Sequence, residues 1–394
     1  MSNRARLVAL ILLTAVGTAY AAQVAEIPFA PITPSIIAQG GTGVASAQGW
    51  DSFFLNPAGF SRSNGSLTIA TSGLWAYLRP DQALSMGVKA LSTRPSPADY
   101  ASFLASQVTG GGFGLGSSVG TGYVGNGLGL GVGLIVDSLA HGPTLLGATG
   151  DLTGTIGFIG GMSVPLSLAP GLTVHVGGAV RPMIRIHVLM DNAATLGALG
   201  AIASGGDVFA ALNSASALYG VGIGVDVGTI LEAGWFTFGI ACRDLGGTQF
   251  RYSENALASL EQSFSSQGKL PAGTASLSDS YVIPMDLGVG VTLHPDLGRF
   301  SGWIDPSLSL DLDDLTGLIS GARTVWTALH VGGQARLLSL FFVQAGVNQG
   351  YFTAGGGLKI PLLDVSFAVF TQELGYYVQD WPRAGATLDV SIRL

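Results

Sequence analysis

Charge is what this sequence has least of. Only 17 of its 394 residues are Lys or Arg and 24 are Asp or Glu, giving a formal net charge of −7. Charged residues total 10%, against about 25% in an average soluble domain. An ordinary soluble enzyme of this length needs many more surface charges to stay dissolved. A mean hydropathy of +0.49 excludes a disordered chain, which is polar and highly charged. The single cysteine, Cys242, excludes a disulfide scaffold. A pI near 5.1 without a basic stripe argues against nucleic acid as a partner. Beyond the N-terminus no stretch reads as a membrane helix. The best candidate, 110–136, is uncharged but dense in glycine, which costs about 1 kcal/mol per residue in a helix relative to alanine.

Glycine is what the sequence has in excess, 60 residues, with no period of three, so collagen is excluded. The period is two. Leu128, Leu130, Val132, Leu134 and Val136 alternate with Gly127, Gly129, Gly131, Gly133 and Ile135. Val221, Ile223, Val225 and Val227 alternate with Gly222, Gly224, Asp226 and Gly228. Leu287, Val289, Val291 and Leu293 repeat the pattern, as do Leu388, Val390, Ile392 and Leu394. Alternation is the signature of strands. One face is aliphatic and the other is Gly, Ser, Thr or an occasional charge. A soluble sandwich also alternates, but its outer face carries more charge and its strands are shorter. In lipid every backbone polar group must be paired, so spanning strands close into a barrel. The expected fold is therefore all-β, a transmembrane antiparallel β-barrel whose aliphatic face meets lipid.

Fifteen candidate strands follow: 65–78, 83–91, 110–121, 123–137, 154–166, 171–186, 218–229, 234–244, 284–294, 303–312, 327–338, 340–348, 351–360, 363–371 and 385–394. Single-chain bacterial barrels have even counts, so about 14 are expected, with the error among the first three. Long connections at 92–109, 138–153, 187–217, 245–283, 313–326 and 372–384 alternate with short ones. The pair Gln349-Gly350 is a tight turn on the long side. Aromatic residues Trp75, Tyr77, Trp235, Phe236, Tyr376, Tyr377 and Trp381 suit an interfacial girdle. Two long connections look partly helical. One, 192–218, carries Leu196, Leu199, Ile202, Phe209 and Leu212. The other, 253–267, carries Leu257, Leu260 and Phe264, with Ser253-Glu254 as its start. These eight residues form a candidate apolar landing site for a ligand, or else the helices pack on each other.

Residues 1–21 read as a signal peptide. Arg4 and Arg6 precede an apolar run over 7–16, and Ala19-Tyr20-Ala21 fits the cleavage rule. Cleavage after Ala22 fits nearly as well. No cysteine follows the site, so a lipid anchor is not expected. Residues 22–64 lack alternation and form a lead or a plug. The remainder, 65–394, is the barrel.

The N-terminal segment holds Gln39-Gly40-Gly41-Thr42-Gly43-Val44-Ala45-Ser46-Ala47, then Asp51 and Asn56-Pro57-Ala58-Gly59. This run resembles the N-terminal hatch of FadL-type outer-membrane transporters. The C-terminal part is similar to the spirochaetal branch of that family, through Arg336-Leu337-Leu338, Ala345-Gly346-Val347-Asn348-Gln349-Gly350-Tyr351 and Phe370-Thr371-Gln372-Glu373-Leu374-Gly375. The middle matches only in pattern. The resemblance implies a 14-stranded barrel with the hatch inside its lumen. It implies passive uptake of long-chain fatty acids or other hydrophobic molecules across a bacterial outer membrane. It places Gly40, Gly41, Asn56, Pro57 and Ala58 in the hatch. The partners expected are a hydrophobic ligand, membrane lipid and the barrel-assembly machinery. The final Leu394 departs from the aromatic end of many outer-membrane proteins. Related barrels also serve protein secretion as structural or shuttle subunits, and an open polar pore is a further alternative.

No catalytic constellation stands out, so no enzyme activity and no cofactor are expected. His141, His175, His187, His294 and His330 fit no HExxH motif. Asp311, Asp313 and Asp314 match only part of a calcium loop, and no metal site is expected. Arg181, Arg185, Arg243, Arg251 and Lys269 are the cations placed to meet a carboxylate, though none stands out.

Overall fold

The computed structural model describes residues 23–93, 95–267 and 280–394. The signal peptide and Lys269 lie outside them. The strands are β1 (Gln23–Ala25), β2 (Ser66–Tyr77), β3 (Gly114–Gly125), β4 (Leu128–His141), β5 (Thr149–Ala169), β6 (Leu172–Met190) and β7 (Ser216–Ala233). They continue as β8 (Phe236–Arg243), β9 (Thr248–Ala256), β10 (Ser280–Ile283), β11 (Asp286–Leu293), β12 (Ile304–Leu312) and β13 (Leu329–Leu337). The last are β14 (Phe341–Asn348), β15 (Tyr351–Ile360), β16 (Leu363–Glu373) and β17 (Pro382–Arg393). The helices are α1 (Pro34–Ile37), α2 (Pro80–Ser92), α3 (Pro97–Thr109), α4 (Asn192–Ser204), α5 (Val208–Ala211), α6 (Leu257–Gln267), α7 (Leu315–Ser320) and α8 (Val325–Ala328).

Strands β2 to β8 pair antiparallel in order, β8 pairs with β11, and β11 to β17 continue. β17 then pairs with β2, through Gly385↔Tyr77 to Arg393↔Thr68. This closes a barrel of 14 strands. The segment around 65–78 is thus the strand that completes the cylinder. No edge is left in the wall, which is what spanning strands require.

Two expectations fail near the start. Residues 83–91 are not a strand but lie in α2. Pro80 occupies the first helical turn, and Leu84, Val88 and Leu91 recur at helical spacing. The first hairpin turns at Asn126-Gly127, both with positive φ, and not near residue 122. Asn-Gly is the preferred pair for a two-residue hairpin, and β3 and β4 shift downstream accordingly. A third correction concerns α6. It begins at Leu257, because 248–256 continue as strand β9 against the upper end of β7. Ser253-Glu254 is therefore in a strand.

The turns next to the C-terminus are short, except the ten-residue β11–β12 connection with its 3-10 turn at Gly298–Phe300, and the opposite end carries the long connections with all the α-helices except α1. Along most strands, though not on β2, where the parity changes at the irregularity between Thr68 and Thr71, the exposed apolar residues share one parity, as Ile156 and Phe158 do on β5 and Val221, Ile223 and Val225 on β7. Their neighbours of opposite parity are buried. Trp235 and Phe236 lie exposed at the short-turn end, and Tyr376 and Tyr377 at the other. Trp75 and Tyr77 break the expected girdle. They point inward and are buried, both donating to Asp137 Oδ1, at 2.7 and 2.9 Å. Their parity on β2 matches the inward Gly73, so register, not residue type, decides their side.

Candidate functional site

The lumen is filled by the chain's own N-terminal segment. Phe29, Trp50, Phe53, Phe54 and Phe60 are buried together. The rings of Trp50 and Phe53 meet edge-on at 5.2 Å, and those of Phe53 and Phe60 at 5.5 Å. The wall admits these rings because its inner face is glycine. A Cβ on Gly131 would lie 3.0 Å from the Phe53 ring, one on Gly129 2.8 Å from Phe60, and one on Gly120 2.6 Å from Trp50. Elsewhere the plug's backbone itself meets the wall. A Cβ on Gly239 would lie 2.5 Å from the Val44 carbonyl oxygen, and one on Gly177 2.5 Å from that of Pro57. The period-two glycines are therefore the imprint of the plug.

Polar groups pin the plug at several heights. Near the upper end β1 adds in parallel to β10. Just below, Glu26 is buried and ion-paired to Arg185 at 3.0 Å. Arg185 also donates to the Ile27 carbonyl at 2.8 Å, and Tyr252 donates to Glu26 at 3.1 Å. Arg181 holds Asp226 at 2.8 Å and Asp244 at 2.9 Å, all three buried. Asp244 opens the kink between β8 and β9, where Gly246 and Gly247 take positive φ. Midway, Asp311 accepts from the Gly43 and Val44 amides at 2.6 and 2.8 Å. At the lower end Arg62 pairs with Glu232 at 2.7 Å.

The residues carried over from the resemblance lie within this plug. Gly40 and Gly41 take φ of 71° and 85°. The Gly40 amide donates to Thr353, and its carbonyl contacts His330 Nδ1 at 2.7 Å. Asn56 is fully buried and caps a short 3-10 helix over Pro57–Ser61, with Oδ1 accepting from the Ala58 amide at 3.1 Å. Its Nδ2 donates to the carbonyls of Val44, Ile240 and Thr229 at 2.9, 3.3 and 3.4 Å. One side chain thus ties the plug to itself and to two wall strands. Asn56→Ala strips those donors and the cap, a loss of about 1–3 kcal/mol. Faster hydrogen exchange at the Ala58 amide and through 43–62 is the expected readout. Unchanged exchange there would refute the tie.

Among solved structures, this chain is similar to several transporters and channels. One is the toluene transporter TodX of Pseudomonas putida, at 12% identity and a TM-score of 0.46, over 94% of this chain and 98% of that one. Another is the toluene transporter TbuX of Ralstonia pickettii, at 14% identity and 0.46, over 91% and 97%. A third is a FadL homologue of Pseudomonas aeruginosa, at 13% identity and 0.42, over 90% and 95%. No family model and no curated protein matches the sequence.

The eight candidate landing residues divide. Leu199, Leu212 and Leu260 are buried where the helices meet the barrel. Leu196 and Leu257 are half-buried. Ile202 and Phe209 are exposed, at 38% and 65%. Phe264 lies on α6, but its side chain is outside the described ones. The arginines suggested for a ligand carboxylate are mostly committed elsewhere. Arg181 and Arg185 hold the acids named above, and Arg243 holds Asp286 and Asp313. Arg251 is exposed on β9. Among the described residues no cluster of three His, Cys, Asp or Glu is placed to hold a metal. Sequence reasoning passed over Glu26. The signal was there, since Glu26 and Asp51 are the only acids between 22 and 61.

Proposed function

We propose that this protein is a FadL-type outer-membrane channel for hydrophobic small molecules, long-chain fatty acids among them. The observation that carries the reading is the plug. Five aromatic side chains on a non-covalently held segment fill a glycine-lined lumen. The charged groups of the lumen are engaged with the plug or with one another, and at the aromatic cluster an apolar ligand exchanges one set of apolar contacts for another. Passage then requires the plug to shift, with binding and diffusion as the mechanism and no energy source of its own. Ile202 and Phe209, the outward-facing pair on α4 and α5, are the first contacts in this scheme. Leu199, Leu212 and Leu260 hold the helices in place. The C-terminal motifs suggest the spirochaetal branch.

The test is titration of the detergent-purified protein with a fluorescent long-chain fatty acid, competed by unlabelled acid, alongside bilayer recordings. Saturable, competable binding with no ion current is expected. Absence of saturable binding by a folded barrel would favour a partner-holding barrel of a secretion system. Steady current through the unaltered protein would favour a polar pore.

A further inference from the structure

Helices α3 to α6 pack against the outside of the wall. On β6, Val188 and Met190 share the parity of the exposed Val180 and Ile184, and on β7 Ala217 and Tyr219 share that of Val221 and Ile223. These outward residues are buried where α4, α5 and α6 cover them. Farther round, Leu199 of α4 joins Leu104 and Val108 of α3 over Phe113 and Ala140. Helix α4 therefore runs as a belt from β6 across β5 toward β4 and β3, just above the exposed aliphatic band.

Two observations point to what lies against this belt. First, none of the 13 residues of α4 is charged, and between the polar Asn192 and Ser204 at its two ends its exposed side carries Ala193, Gly200, Ile202 and Ala203. A helix with apolar residues on both its faces belongs in apolar surroundings on both sides. Second, a cavity of about 80 Å³ lies beneath it, lined by Leu115, Ala140, Leu152, Met190, Ala198 and Ile202 among others. The polar side chains in its lining are already satisfied. Ser138 Oγ accepts from the Leu115 amide and donates to the Leu115 carbonyl, at 3.1 and 2.8 Å. Thr195 Oγ1 donates to the Met190 carbonyl at 3.3 Å. Both hydroxyl hydrogens are spent, so a water there would find only acceptor lone pairs on these two side chains, fewer than the two to four partners that hold a buried water. Leu115, 47% exposed at the lip, belongs to the aliphatic band itself, so the cavity is continuous with that surface.

We propose that the α4–α5 hairpin is seated in the outer leaflet and that the cavity receives the end of a membrane lipid's acyl chain. The lipid fastens the belt to the wall. The inference rests on reading the exposed band as the lipid contact, and the experiment separates the two. The whole protein is placed in nanodiscs of phosphatidylethanolamine and phosphatidylglycerol, doped with phosphatidylethanolamine carrying a terminal diazirine on one acyl chain. Photolabelled peptides are mapped by mass spectrometry. Adducts are expected on the band, at peptides holding Phe158 and Ile223, and also on 198–202. Leu115→Trp and Ile202→Trp, both at the partly exposed lip, should each lower the 198–202 adducts several-fold and leave the band labelled. A labelled band without adducts at 198–202 overturns the proposal, as do adducts indifferent to both variants. Displacement of those adducts by free oleate would assign the cavity to the transported compound instead. An unlabelled band would sink the membrane reading together with the proposal.

Discussion

Gly239→Leu is expected to open the barrel. Residue 239 faces inward on β8, and its Cβ would lie 2.5 Å from the Val44 carbonyl oxygen and 2.6 Å from the Ala45 Cα. These are backbone atoms, so no rotamer change relieves the clash. Forcing extra carbons into a packed interior costs about 1–3 kcal/mol. The wall is a closed ladder of hydrogen bonds, whereas residues 26–62 are held mainly by side-chain contacts with a few backbone bonds such as Gly127 to Phe60, so the plug is the part that yields. Planar-bilayer recordings check this directly. Current should appear in the variant and be absent from the parent. Gly171→Leu is not the right control, because its φ of 75° adds backbone strain. Gly154→Leu is suitable, since open space surrounds its Cβ and its φ is not positive. A silent Gly239→Leu barrel that folds normally would mean that the plug is not what closes the lumen.

The second large effect is expected from Arg181→Met. Arg181, Asp226 and Asp244 are buried together, with the Asp244 amide also donating to Asp226 at 2.8 Å. Removing the cation leaves two carboxylates uncompensated away from water. Breaking a buried ion pair by deleting one partner costs about 3–5 kcal/mol. The same change removes the Arg181 contact to the Phe29 carbonyl, at 3.4 Å. The temperature at which the barrel loses its compact gel mobility should fall clearly. The triple variant Arg181→Met with Asp226→Asn and Asp244→Asn should recover most of the loss. An unchanged transition in the single variant would refute a structural role for the triad.

Much of the barrel is legible in the sequence because alternation is a local property. A residue's parity decides which face it takes, and the aliphatic parity on β4, β5 and β7 marks the exposed band directly. The failures are local as well. Residues 83–91 alternate loosely, but Pro80 and the 84, 88, 91 spacing belong to a helix. The Asn126-Gly127 turn was written in the chain and outweighed by the glycine pattern on either side. Trp75 and Tyr77 show the limit of residue type as a guide. Aromatic rings suit both an interface and a lumen, and only the pairing of β2 with β3 and β17 decides between them.

The candidate site divides along the same line. Asn56-Pro57 announces a capped turn, because a side-chain oxygen before proline is a local device. That its amide also reaches Thr229 and Ile240 is a contact across more than 170 positions, which no local pattern encodes. Glu26 finds Arg185, and Asp311 finds the Gly43 and Val44 amides, only once the cylinder closes around the plug. The sequence by itself determined most of the wall strands, their two faces and a segment ahead of them without alternation, while β1, β9 and β10 appear only in the structure. The tertiary structure decided what the glycine face is for. Glycine has no side chain to fill the lumen, so the space it leaves is defined only by what the fold inserts there, and that is the N-terminal segment.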